Sequence, residues 1–170
     1  MRLLLIAVGR RMPDWVKDGY DDYARRLRGA LRLDLVEVDA GRRTRNADIG
    51  KLIREEGDRL LGCVPSSSRV IALDPSGRQF DTEALSMKLG RWIDESQDVS
   101  LLIGGPDGLS PEVLSRCNEC WSLSALTFAH PLVRVVVAEQ VYRIVSILTG
   151  SPYHRGNRYG GKHPPIPCMA

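Results

Sequence analysis

At 170 residues the chain is long enough to bury one real core and is most economically read as a single domain. Hydrophobic residues make up 43% and charged residues 26%, the balance of an ordinary soluble globular protein, and no apolar run approaches the length a membrane-spanning helix needs. The net charge is only +3, yet 20 of the 24 basic residues are Arg, whose planar fork suits phosphate and carboxylate.

The opening MRLLLIAVG is too short for a signal peptide and runs into RRMPDW rather than a cleavage site, so it reads as the first strand (3–8) of a cytoplasmic protein. A helix is expected over 13–28, with Pro13 at its start, and a strand over 33–38. The following GRRTR (41–45) offers arginines to a nucleic-acid backbone, although charge alone favours an ordinary solvated surface. Asp48 stands near the start of a second helix, 46–62, and RVIAL (69–73) reads as a strand closed by the turn LDPSG. A helix over 81–95 leads to VSLLI (99–103), an apolar run that ends in GGPDG. Ser110 is set as an N-cap and Pro111 as the first residue of a helix over 111–119. That helix carries the sequence CNEC, a single C-x-x-C without a second pair at zinc spacing; no structural metal and no disulfide are expected. A short strand (121–125) precedes a long, largely buried helix that opens at Pro131 and closes at Gly150. From Gly156 the chain is rich in Gly and Pro, and 156–170 is read as an irregular tail in which His163 and Cys168 are assigned nothing. Strands alternating with helices imply an α/β fold with a mostly parallel sheet, whose ligands gather at the carboxyl ends of the strands.

Three loops therefore matter: LDPSG, GGPDG and LSALTFAHP. The glycine loop fits neither a P-loop, which ends in Gly-Lys-Ser/Thr, nor a dinucleotide fingerprint, whose glycine spacing differs. No Gly-x-Ser-x-Gly elbow is present. Small residues at Gly104 and Gly105 leave room for backbone to approach a ligand.

VGRRMPDW, AGRRTRNADI, LLIGGPDGLSP, WSLSALTFAHPLVRVVVAEQVYR and SPYHR occur in that order. Together they closely resemble the small SPOUT methyltransferases, in particular the family that methylates N3 of a pseudouridine in bacterial 23S ribosomal RNA. The resemblance runs from Met1 to Arg155 and makes 1–155 one SPOUT methyltransferase domain. It implies a mostly parallel sheet flanked by helices, a deep C-terminal trefoil knot and a homodimer. The knot loops would hold S-adenosyl-L-methionine through Leu73, Gly104 and Gly105, and through Leu123, Ser124, Ala125, Leu126, Thr127 and Phe128. Within SPYHR the groups suited to the target base are Tyr153, which can stack or donate a hydrogen bond, His154, which can accept a proton, and Arg155, which can stabilise negative charge. Arg134, Glu139 and Arg143 recur at roughly helical spacing and read either as a salt-bridged face or as substrate or dimer support. His130 is expected beside the cofactor or in a structural role. The competing class is a knotted RNA-binding dimer without catalysis, disfavoured by the intact GGPDG, LSALT and YHR motifs. A second alternative is an enzyme of the same fold acting on tRNA. The lack of an appended RNA-binding domain favours a substrate that supplies its own docking surface, such as 23S rRNA within the assembled ribosome.

Overall fold

The computed structural model describes residues 1–27, 29 and 31–153. Five strands, β1 (Arg2–Val8), β2 (Arg32–Val38), β3 (Arg69–Gln79), β4 (Val99–Ile103) and β5 (Glu119–Ser122), form one parallel sheet in the order β2-β1-β4-β3-β5. Five helices connect or follow them: α1 (Asp14–Arg26), α2 (Ile49–Gly62), α3 (Thr82–Asp94), α4 (Pro111–Arg116) and α5 (His130–Leu148). The expected α/β architecture is the observed one.

The continuous apolar runs are strands covered on both faces. Leu3, Leu5 and Ala7 of β1 join Leu101 and Ile103 of β4 in a core that includes Tyr20, Leu89, Trp92, Val137, Val141 and Ile144, so α1, α3 and α5 cover this face. Leu4, Ile6 and Val8 alternate to the opposite face, where Leu102 meets Leu60 of α2 and Val113 of α4. Central strands have no solvent side, which is why β1 shows no polar alternation.

Local chemistry sets the helix starts. Asp48 accepts a hydrogen bond from the Lys51 amide at 2.9 Å, and Ser110 accepts one from the Val113 amide at 3.3 Å. Three expectations need correction. The strand expected over 121–125 is β5, which starts at Glu119 and ends at Ser122. Consequently α4 stops at Arg116 and CNEC is not carried by a helix: Cys117 caps α4 and Cys120 lies on β5. Finally, β3 does not end at Leu73. Leu73 and Arg78 both pair with Trp121, and the intervening Asp74–Gly77 segment is an excursion within one strand.

Candidate active site

The carboxyl ends of β3 and β4, together with the chain between β5 and α5, enclose a cleft of about 440 Å³. The glycine loop after β4 is folded back on itself. The Gly108 amide donates to the Gly105 carbonyl at 3.0 Å, and Gly108 has φ +84°, a conformation that favours glycine. A Cβ at Gly104 would lie 2.4 Å from the Gly108 carbonyl oxygen. One at Gly105 would lie 2.9 Å from Glu56 Oε2 and 3.0 Å from Arg43 Nη2. Both glycines line the cleft with their backbone, yet the missing side chains make room for protein atoms. Loop closure thus accounts for glycine at 104, and packing on the Arg43–Glu56 pair favours it at 105.

Of the residues expected to bind a cofactor, Leu73, Gly104, Gly105, Leu123, Ser124, Leu126, Thr127 and Phe128 line this cleft; Ala125 belongs to the same loop but is not in the wall. The loop is held by short-range hydrogen bonds: Ser122 Oγ donates to the Ser124 carbonyl at 2.9 Å, and the Leu126 amide donates to Ser124 Oγ at 2.9 Å. Walls of Leu73, Ile103, Leu123 and Phe128 are apolar, with few polar groups among them, as small-molecule sites generally are. Sequence reasoning missed Asp74 and Pro75, which the β3 excursion brings into the wall, and it left His130 without a definite position. Turn chemistry in DPSG was the available signal, but nothing local shows that the strand resumes at Arg78.

Arg43 of the GRRTR segment fits neither expectation for that segment. Its guanidinium bonds Glu56 at 2.7 and 3.1 Å and Asp107 of the glycine loop at 2.8 Å, and only Arg42 and Arg45 of the segment's arginines are exposed. Glu56 is 1% exposed and also accepts from the Gly41 amide at 2.7 Å. These bonds tie the β2–α2 connection to α2 and to the glycine loop. Arg134, fully buried, donates to the carbonyls of Val8 and Gly9 at 2.9 and 2.7 Å and pairs with Glu37. His130 faces the cleft at the start of α5. Burial, with the nearby Arg134 and Arg43 charges, holds its imidazole below the usual histidine range and therefore neutral at pH 7.

Glu139 and Arg143 form an ion pair one helical turn apart, and the Tyr153 hydroxyl donates to Glu139 Oε1 at 3.2 Å. The Tyr153 ring packs against Tyr142 with centroids 4.6 Å apart, and the Arg143 guanidinium lies 5.0 Å from its centre. Burial, hydrogen bonding with Tyr23 and the Glu139 charge raise the Tyr153 pKa. Tyr153 stays a neutral donor at physiological pH. His154 and Arg155 lie outside the described residues. Burial pushes the Cys117 thiol up to about 11, so it is not a nucleophile at neutral pH.

No helix among the described residues is long and apolar enough to cross a membrane, and no group of three or more His, Cys, Asp or Glu among them is arranged to hold a metal ion. A family model described as "Predicted SPOUT methyltransferase" matches residues 1–154. The chain is 48% identical over 155 residues to the ribosomal RNA large subunit methyltransferase H of Azotobacter vinelandii, covering 91% of this chain and 100% of that protein. The proteins of the same name from Pseudomonas aeruginosa PAO1 and Pseudomonas putida KT2440 are 49% and 48% identical over the same shares. With a SPOUT match along nearly its whole length and full-length relatives at this identity, the chain belongs to the SPOUT methyltransferase family.

Proposed function

We propose that this protein uses S-adenosylmethionine to methylate N3 of a pseudouridine in 23S ribosomal RNA, working in the cytoplasm as a homodimer on the assembled ribosome. The observation that carries the reading is the cleft. It is bounded by the glycine loop and the 123–128 loop, is large enough for a nucleoside-sized ligand, and is apolar with a few polar groups. The name shared by the full-length relatives supports ribosomal RNA as the substrate. The two loops expected to hold the donor meet at one cleft.

The donor's sulfonium supplies an electrophilic methyl group; the chain must hold it in line with a ring nitrogen and receive that nitrogen's proton. Leu73, Leu123, Leu126 and Phe128 offer apolar surface to adenine, while the backbone of Gly104, Gly105, Ser124 and Thr127 meets polar edges, with Ala125 holding the loop between them. Tyr153 packs on or hydrogen-bonds the target base, and Arg155 stabilises charge developing on its oxygen. His154 accepts the N3 proton.

Among the described residues, Tyr153 does not line the cleft. Val133 is the last α5 residue lining the cleft, and Tyr153 is bonded to Glu139, six residues or about 9 Å of helix further on. A second protomer supplying the Tyr153–Arg155 segment joins the two halves. Ribosomes from a strain lacking the gene provide the test. Incubated with the protein and S-adenosylmethionine, they should gain one methyl group on a 23S pseudouridine, read by mass spectrometry of the digested RNA. His154→Ala should methylate roughly 10²–10⁴-fold more slowly in a single turnover while binding the donor normally. No methyl gain, or a gain only on tRNA, would overturn the reading.

A further inference from the structure

We propose that Asp74 is the counter-charge for the methyl donor's cation, so that the cleft prefers the charged donor to its spent, neutral form. This rests on the S-adenosylmethionine reading above and extends it to a residue and a preference.

The β3 excursion is built to deliver this side chain. Leu73 and Arg78 both pair with Trp121, so four residues leave the ladder and return to the same partner. A Cβ on Gly77 would lie 2.5 Å from the Trp121 backbone carbon, so only glycine closes the excursion. Asp74 Oδ1 accepts from the Ser76 amide at 2.9 Å and from the Ser76 hydroxyl at 2.6 Å, which fixes the carboxylate. Its second oxygen has no hydrogen-bond donor among the described residues and turns toward the glycine loop, 4.0 Å from where a Cβ of Gly108 would stand.

The charges around the cleft compensate one another, with Asp74 as the exception. Arg43 is bonded to Glu56 and Asp107, and Arg134 to Glu37. His130 is neutral because burial and those arginines disfavour its proton. Asp74 is the only acidic side chain lining the cleft among the described residues, and no cation there is paired with it. A sulfonium in this cleft meets one fixed negative charge; a thioether of nearly the same shape does not. Specificity is a difference between two affinities, and here the difference is a unit charge. For partly screened charges across a cleft this size, that amounts to about tenfold in affinity.

Calorimetric titration of the wild type, Asp74→Asn and Asp74→Glu with S-adenosylmethionine and with S-adenosylhomocysteine tests the inference. Asn keeps the oxygen that accepts from Ser76, so the excursion is preserved while the charge is removed. Asp74→Asn should lose about tenfold in affinity for the sulfonium donor relative to the thioether, and Asp74→Glu should retain the wild-type preference. An unchanged affinity ratio in Asp74→Asn, with both ligands bound, overturns this inference alone. A wild-type protein that binds neither ligand overturns the cofactor reading and the inference with it.

Discussion

Arg43 illustrates how one side chain fixes a site it does not enter. Its partners are 13 residues away on α2 and 64 residues away in the glycine loop, so no local pattern announces the contact. Removing the guanidinium leaves Glu56, 2% exposed in its side chain, as a buried charge held only by the Gly41 amide. Arg43→Met should therefore lower stability by about 3–5 kcal/mol, the usual cost of breaking a buried pair on one side. Urea unfolding followed by circular dichroism measures it, and adding Glu56→Leu should recover part of the loss. A single variant that unfolds at the wild-type urea concentration would show that the clamp contributes nothing. The same network explains Gly105, whose Cβ would press on both members of the pair. The glycines of GGPDG were legible as a special loop, but not the reason for them. A glycine's neighbours on its missing side come from distant sequence.

Elements were legible where period and composition agreed. β1 beyond Arg2 and β4 apart from Ser100 are apolar because the sheet is covered on both faces, and the caps at Asp48 and Ser110 follow from side chains that compete for backbone amides. The spacing of Arg134, Glu139 and Arg143 was half legible: Glu139 and Arg143 form the salt-bridged face, and Arg134 is not part of it. Five residues rotate a helix by roughly 140°, so Arg134 faces the sheet ends while Glu139 and Arg143 pair elsewhere. The β3 excursion was hidden for another reason. Asp-Pro-Ser-Gly has turn chemistry, and only the pairing of Arg78 and Gln79 with Trp121 and Ser122 makes the strand continue. Trp121 anchors that pairing: it stacks on Trp92 at 5.9 Å, meets Phe80 edge-on at 5.5 Å, and donates from Nε1 to Glu119. Gly77→Ala sets a methyl against the Trp121 backbone and should cost about 1–3 kcal/mol or more, as overpacking does. It should also weaken donor binding by displacing Asp74 and Pro75 from the wall. Thermal unfolding and calorimetry read the two effects separately, and wild-type values in both would contradict the role given to the excursion.

At the scale of the molecule, the cleft and Tyr153 stand at different heights along α5, and a second protomer is the simplest way to unite them. Large apolar side chains stay partly exposed on α1 and α5, with Trp15 at 55%, Leu148 at 42% and Leu132 at 38%, so surface is available for such an interface. A two-fold dimer reuses one surface on both chains and would create two identical composite sites. Mixed dimers separate this arrangement from one in which each chain serves its own cleft. Thr127→Trp puts a large ring into the cleft wall at an exposed position, leaving the Tyr153–Arg155 segment intact. His154→Ala does the reverse. Each variant alone should be nearly inactive. Unfolded and refolded together in equal amounts, half of the dimers are mixed, and each mixed dimer carries one site built from an unaltered cleft and an unaltered segment. Single-turnover methylation should then recover to roughly one quarter of the wild-type level, since one site in four is whole under random pairing. If each chain completed its own cleft, every site in the mixture would carry one of the two lesions and activity would stay at the level of the separate variants.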